Sequence, residues 1–265
     1  MRSIVSRLGL TCSVAGFLYL AYAAAALLSV YACGAFLVVS IGYTIYSSLL
    51  HVIFYRHAPP PVRSPHHMTI VSFNLIMAAT FAMLSTELHV RGHSRMCFDD
   101  SSPPSSLVVS QAVLAMLGSN LVEYYWHRLL HIRALYVRVH KVHHHYKRPQ
   151  PFDDMYMHPF EGAIYFCILY GPPFVLPMNV HAFILYMVVM GLFGVLDHSG
   201  LSFHIPLVYK AQDHAVHHAK VNVNYGFPFV YLDLVHGTFH GEFAGVTFGS
   251  TSTNSAHTID TFTMK

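Results

Sequence analysis

Residues 107–145 read LVVSQAVLAMLGSNLVEYYWHRLLHIRALYVRVHKVHHH. The first half, 107–125, is apolar with a single charge, Glu123, and suits a membrane helix. The second half abandons that pattern at once. It carries His127, His131, His140, His143, His144 and His145 among Arg128, Arg133, Arg138 and Lys141. An apolar helix that runs directly into imidazoles and cations describes a membrane span delivering a metal-binding surface to the bilayer edge. The composition of the 265 residues agrees. Apolar residues make up 54% and charged residues only 10%, against about 25% in soluble domains. Mean hydropathy is +0.44. These values exclude a disordered chain, a coiled coil and a nucleic-acid binder with a basic face. One number departs from a plain membrane anchor: 22 His outnumber the 12 acidic residues. Net charge, +3, is too small to imply a polyanionic partner, and Cys12, Cys33, Cys97 and Cys167 form no C-x-x-C pair.

Outward from this stretch, the sequence predicts further apolar spans near 8–30 and 34–55, joined by a tight turn at Cys33-Gly34, with a single long helix that leaves the membrane as the alternative, and another span at 68–88. Runs at 160–178 and 181–196 read as a helical hairpin interrupted by Pro172, Pro173 and Pro177. The fold class is therefore all-α: an integral membrane bundle of about four to six apolar helices with a histidine-rich helical cap. We divide the chain into membrane spans and connectors over 1–106, a catalytic region over 107–240 and a loosely ordered tail over 241–265. Basic residues set the orientation. Arg2, Arg7, Arg56, Arg63 and the six cations from Arg128 to Arg148 fall on one side, Arg91 and Arg95 on the other. The positive-inside rule makes the richer side, and with it the cap, cytosolic.

Thirteen of the 22 His lie between His127 and His218. Eight of them form three clusters: His127-x-x-x-His131, His140-x-x-His143-His144 and His214-x-x-His217-His218. Spacings of three and four place side chains on one helix face, so each cluster aims two or three imidazoles at one point. Eight such residues suit two metal ions better than one. His198 ends the 181–196 run and returns to the same face as a ninth candidate. His158, before Pro159, is either a helix-start residue or a supporting group near the metal. His145 and His204 are weaker candidates. His51, His57, His66, His67, His89 and His93 are read as interfacial, and His236, His240 and His257 as solvated.

Acidic neighbours can steady metal-bound imidazoles by accepting their second N–H. Glu123, one turn before His127, is the first candidate, followed by Asp197 and Asp213, which precede His198 and His214. Asn224 and Tyr225 follow the third cluster and can close the site by hydrogen bonding. Glu123 and Asn224 are the candidate catalytic residues. Imidazole alone does not choose between zinc, copper, iron and nickel. The surroundings are apolar and aromatic (Phe160, Tyr165, Phe166, Tyr170, Phe174, Phe227-Pro228-Phe229) and allow a substrate arriving from the bilayer. An unactivated C–H bond yields to no acid or base at neutral pH, which favours oxygen activation by iron. A zinc enzyme without a redox step, a haem protein and a metal transporter are the rival readings.

The order Glu123-Tyr-Tyr-Trp-His127-Arg-Leu-Leu-His131, His140-Lys-Val-His-His144, His158-Pro-Phe-Glu161, His198-Ser-Gly200, His214-Ala-Val-His-His218, Asn224-Tyr-Gly226 and Asp233-Leu-Val-His-Gly-Thr238 resembles the fatty acid hydroxylase / sterol desaturase superfamily over roughly 120–240. The resemblance implies a multi-pass endoplasmic reticulum enzyme with a cytosol-facing di-iron centre. It implies dioxygen as co-substrate and electrons from NAD(P)H, passed by a b-type cytochrome or its reductase. It implies hydroxylation or desaturation of a sterol, acyl chain or sphingoid base drawn from the membrane. The ligands it implies are His127, His131, His140, His143, His144, His198, His214, His217 and His218, with zinc as a substitute metal. H-S-G and H-P-F-E look closest to methylsterol oxidases; the Asn224-Tyr225-Gly226 step is similar to sterol 5-desaturases. Neither a fused cytochrome domain nor a dilysine retrieval signal is expected from these residues, so a separate electron donor is expected.

Overall fold

The computed structural model describes residues 28–55, 63–98, 103–201, 205–243 and 246–248. The expected span at 8–30, together with His57, His204, His257 and most of the tail, lies outside them. Among the described residues four helices are long and apolar enough to cross a membrane: α1 (Val30–Tyr55), α2 (His67–Val90), α3 (Ser105–Leu130) and, after three shorter helices, α7 (Val180–Asp197). At 1.5 Å per residue α1 and α3 each reach about 39 Å, enough for a hydrocarbon core of about 30 Å.

The helices bury small residues against each other and turn large ones outward. Ala78, Ala79, Ala82, Ala112 and Ala115 are almost fully buried, whereas Val38, Ile45, Phe73, Ile76, Leu114, Val122 and Ile184 are exposed. This inverts the soluble pattern, because lipid is as apolar as leucine and close backbone approach drives helix packing there. Only 11% of the α1 window is buried, so most of that helix faces outward. The chain is a membrane helical bundle.

α1 contains no turn at Cys33-Gly34. The helix begins after Ser29, whose Oγ accepts from the Ala32 N–H, and runs through Gly34, which has open space around it. The same Ser29 donates its backbone N–H to Glu87 Oε2 at 2.8 Å, while Arg91 holds Glu87 Oε1 at 2.6 Å. The start of α1 is thereby tied to the end of α2.

α3 continues five residues past the expected end and carries His127 into its last turn, with His131 as its C-cap. Beyond it come the short α4 (Arg133–Leu135), a π-helical turn over Tyr136–His140 and 3₁₀ turns over His143–His145 and Pro151–Met155. α5 (Pro159–Tyr170) is about 18 Å long, too short to span. α6 (Pro172–Val175) turns the chain. β2 (Met178–Asn179) then pairs in parallel with β1 (Met96–Cys97), and α7 leads back to His198. α8 (Ala211–Lys220) and α9 (Tyr231–His236) complete the cap. β3 (Gly241–Phe243) and β4 (Val246–Phe248) form an antiparallel hairpin where a loose tail was expected.

The few polar groups inside the bundle act as pins. Asn74 Nδ2 donates to the carbonyls of Met155 and Met157, and Asn120 Nδ2 to that of Phe227. Each fastens a connecting segment of the cap to a membrane helix. Two histidines expected at the interface are buried instead. His67 bonds Asp153, which Arg63 also pairs at 2.8 Å, and His89 sits between Ser85 and Ser94.

Candidate metal centre

The nine histidines singled out in the sequence converge, and they do so as two groups. His127, His131, His140, His144 and His217 form group A, and His143, His198, His214 and His218 form group B. Within each group one nitrogen of every ring lies within 4.8 Å of all the others. The H-x-x-H-H spacing accounts for the division. His140 and His144, one helical turn apart, share group A, while the intervening His143 points to B. In α8 the assignment reverses: His214 and His218 share B, and His217 points to A. Each H-x-x-H-H segment thus clips both groups together, since neighbouring side chains on a helical turn cannot face the same point.

On six of the nine rings the outer nitrogen faces an acceptor. Nδ1 of His127 donates to the Tyr225 carbonyl at 2.7 Å and that of His217 to Val223 at 2.6 Å. Nδ1 of His218 and His198 donate to the carbonyls of Tyr146 and Gly194, both at 3.0 Å. His140 Nδ1 lies 2.7 Å from Glu161 Oε1, and His214 Nδ1 lies 3.2 Å from Asp197 Oδ2. These contacts leave Nε2 facing the group centre. His127 and His140 approach Nε2 to Nε2 at 3.1 Å, His140 and His144 at 3.0 Å. In B the corresponding distances are 3.3 Å for His143–His198, 3.1 Å for His198–His214 and 3.0 Å for His214–His218.

With Glu161 and Asp197 accepting from the Nδ1–H groups of His140 and His214, the His127–His140, His198–His214 and His214–His218 pairs have no proton to share. Their lone pairs face each other across about 3 Å, a repulsive arrangement unless a cation sits between them. Two imidazole nitrogens bound at right angles about 2.0–2.1 Å from one metal ion stand roughly 3.0 Å apart. The donor set therefore suits a metal in each group. Nε2 of His131 and His217 are buried without any partner, as ligand atoms are when their ion is removed. Burial also keeps the rings neutral. It holds His131, His143, His144, His214, His217 and His218 well below the ordinary imidazole range and His140 at about 3. Neutral imidazole is the metal-binding form.

The supporting residues differ from the expected pairings. Glu123 does not hold His127, whose Nδ1 goes to Tyr225; its Oε2 is buried and unpartnered. Asp197 supports His214 rather than the adjacent His198. Asp213 caps α8 through the Lys210 N–H. His158 caps α5, accepting from the Phe160 N–H, and joins neither group. Asn224 does not reach the imidazoles. Its Nδ2 donates to the carbonyls of Asp213 and His240, and its Oδ1 accepts from the His240 N–H. It closes a loop and has no geometry for a reacting group. Tyr225 contributes its carbonyl to His127 and its ring to the flank of His127, His131 and His217.

Three carboxylates escaped the sequence reading of the site. Glu161, in H-P-F-E, holds His140. Asp154 Oδ1 lies 3.7 Å from His198 Nδ1. Asp233 is fully buried and accepts from the Tyr225 and Gly226 N–H groups, Thr238 Oγ1 and Tyr209 Oη. It fixes the loop whose carbonyl orients His127. Burial pushes the Glu161 and Asp154 carboxyls upward.

A small cleft of about 70 Å³ meets both groups, touching His127 and His140 of A and His143, His198 and His214 of B. Trp126, Leu130, Met157, Tyr165 and Phe227 supply its apolar walls, and Glu123, Asp154, Glu161 and Asp197 its acidic ones. Of the aromatic residues expected along a substrate path, Tyr165 and Phe227 line this cleft, Phe166 and Tyr170 belong to the helix core, and Phe160 is half exposed.

Residues 112–238 match the fatty acid hydroxylase family. A Delta(7)-sterol 5(6)-desaturase of Gibberella zeae is 29% identical over 187 residues, covering 68% of this chain and 53% of the relative. Lathosterol oxidase of Mus musculus is 30% identical over 179 residues, covering 64% and 58%. A very-long-chain aldehyde decarbonylase of Oryza sativa subsp. indica is 34% identical over 148 residues, covering 51% and 54%. The chain thus spans somewhat over half the length of these curated relatives. No solved structure matches it. With its histidine motifs drawn into two metal-sized groups at the end of an apolar bundle, the chain is similar to the fatty acid hydroxylase / sterol desaturase superfamily over residues 112–238.

Proposed function

We propose that the protein is a membrane oxygenase that hydroxylates or desaturates a sterol or related lipid, with one iron ion held by group A and one by group B. The observation that carries this reading is the pair of buried imidazole groups opening on a single apolar-walled cleft. The metal pair supplies dioxygen activation, the chemistry that an unactivated C–H bond demands. The chain supplies the rest. Carbonyls of Tyr225, Val223, Tyr146 and Gly194, with Glu161 and Asp197, fix the tautomer and orientation of His127, His217, His218, His198, His140 and His214. Trp126, Leu130, Met157, Tyr165 and Phe227 receive the apolar body of the lipid and exclude water. An all-nitrogen donor set also accepts zinc; names such as desaturase and oxidase among the relatives favour a redox metal. Electrons come from NAD(P)H through a separate b-type cytochrome or reductase. Exposed Arg128, Arg133, Arg138, Lys141, Lys147 and Arg148 surround the cap, which supports a cytosolic active site on the endoplasmic reticulum membrane.

Substituting His143 or His217 by Ala in purified protein tests the assignment. Each variant is expected to lose the metal of its own group and NAD(P)H-dependent lipid oxidation. Retention of both metal and oxidation by either variant defeats the reading. Zinc in both groups, with activity unchanged without oxygen, replaces it by the hydrolytic rival. Lipid profiling of cells lacking the protein names the substrate through the precursor that accumulates.

A further inference from the structure

Polar atoms of the cleft lining without partners occur on Glu161 and Asp197, whose other oxygens face imidazoles, on His143, and on two residues outside the metal centre. Glu123 Oε2 is a buried acceptor with no hydrogen-bond partner, and Trp126 Nε1 is a buried donor with none. Both line the cleft that touches the two histidine groups. They sit at i and i+3 on α3, on one face of the helix. Buried polar atoms without partners cost free energy unless something in the working state satisfies them. One donor and one acceptor side by side match one functional group in particular. A hydroxyl accepts from the indole N–H and donates to the carboxyl oxygen at the same time.

We propose that Glu123 and Trp126 hold a hydroxyl group already present on the lipid substrate, so that the carbon oxidised lies within a few bonds of that alcohol. The inference rests on the oxygenase reading and sharpens it. The anchor and the imidazoles share one cleft, so the reacting carbon and the hydroxyl belong to the same end of the lipid. Oxidation far along an unfunctionalised acyl tail does not fit this placement, whereas oxidation in a ring or short segment bearing an alcohol does. Glu123 is then a specificity-determining residue that touches substrate, not the partner of His127.

Trp126 is the sole tryptophan of the chain, so intrinsic fluorescence reports on this position alone. The protein in liposomes that contain no other protein is titrated with lathosterol, 1-octadecanol and the methyl ether of each, and the change in Trp126 emission is followed to saturation. At least one alcohol is expected to bind about tenfold or more tightly than its ether, the loss expected for one hydrogen bond to a carboxylate. Glu123→Ala is expected to erase that preference and Glu123→Gln, which keeps an acceptor oxygen, to preserve most of it. Metal content is measured on all three proteins, so that a collapsed site is recognised. Equal binding of alcohol and ether by the wild-type protein overturns the proposal, as does an unchanged preference in Glu123→Ala; a cleft that holds only water gives the first result. Lipid oxidation is measured in parallel. Ethers oxidised as readily as alcohols sink the anchor and leave the oxygenase standing. Selective alcohol binding by a protein that takes up no metal sinks the oxygenase and leaves the anchor.

Discussion

His140 shows what a single residue does at this centre. Its Nε2 stands 3.1 Å from that of His127 and 3.0 Å from that of His144, while its Nδ1 meets Glu161 Oε1 at 2.7 Å. The ring is fixed at both ends, and the carboxyl behind it is what keeps Nε2 unprotonated. Outer partners of this kind are commonly worth 10- to 100-fold in metal affinity. Glu161→Ala is therefore expected to weaken metal retention in group A by about that factor, while Glu161→Gln, whose amide oxygen still accepts, loses much less. Metal content after graded chelation of the two purified variants checks this, and equal losses would mean that Glu161 acts by charge alone. The corresponding change at Asn224 should leave ring orientation intact and show itself in stability, because its amide bonds only backbone groups.

At the scale of elements, the turn after α8 matters most. It returns Val223 to His217 and brings Tyr225 to His127, and Asp233 from α9 holds it by accepting four donors. Gly226 sits inside this arrangement. A Cβ there would lie 2.6 Å from the Phe229 carbonyl oxygen and 2.9 Å from Asp233 Oδ2. Overpacking of this kind costs about 1–3 kcal/mol. Gly226→Ala is expected to lower the unfolding temperature and to loosen group A before group B, read as metal loss from a chain that still holds one ion. The sequence announced much of this region. The three- and four-residue spacings named eight imidazoles, the end of an apolar run named the ninth, His198, and the charge-free runs located the long helices, because these signals are local. What was not legible depends on tertiary approach. Nothing local says that His143 and His144 part company, since that follows from where α7 and α8 arrive. Glu161 is 21 residues from the ring it supports. The pairing of Glu123 with His127 failed although the two are one turn apart, because a carbonyl almost a hundred residues away was better placed. Gly34, read as a turn, lies inside a helix because nothing crowds it there.

For the whole molecule, the unusual quantity is the amount of neutral imidazole buried at the end of a membrane bundle, and it makes stability depend on acid in a definite direction. In the folded protein burial keeps His131, His143, His144, His214, His217 and His218 below their ordinary range, and His140 down to about 3. The unfolded chain protonates the same residues near 6.5. As pH falls below about 6.5 the unfolded state therefore binds more protons than the folded one, and each such histidine removes about 1.4 kcal/mol of stability per pH unit until its own folded value is passed. Above 6.5 neither state is protonated and this contribution is flat. Bound metal deepens the effect, since protons and metal compete for the same Nε2 atoms. Unfolding temperature followed from pH 8 to pH 5 in detergent is expected to be level at first and then to fall below about 6.5 with the uptake of several protons, metal being released over the same interval. Chelator at pH 7.5 is expected to lower the unfolding temperature without acid, and restored metal to raise it again. A descent with the slope of a single proton, or metal lost well before stability declines, would show that the imidazoles are not buried as one neutral unit and that the two groups do not share a common fate.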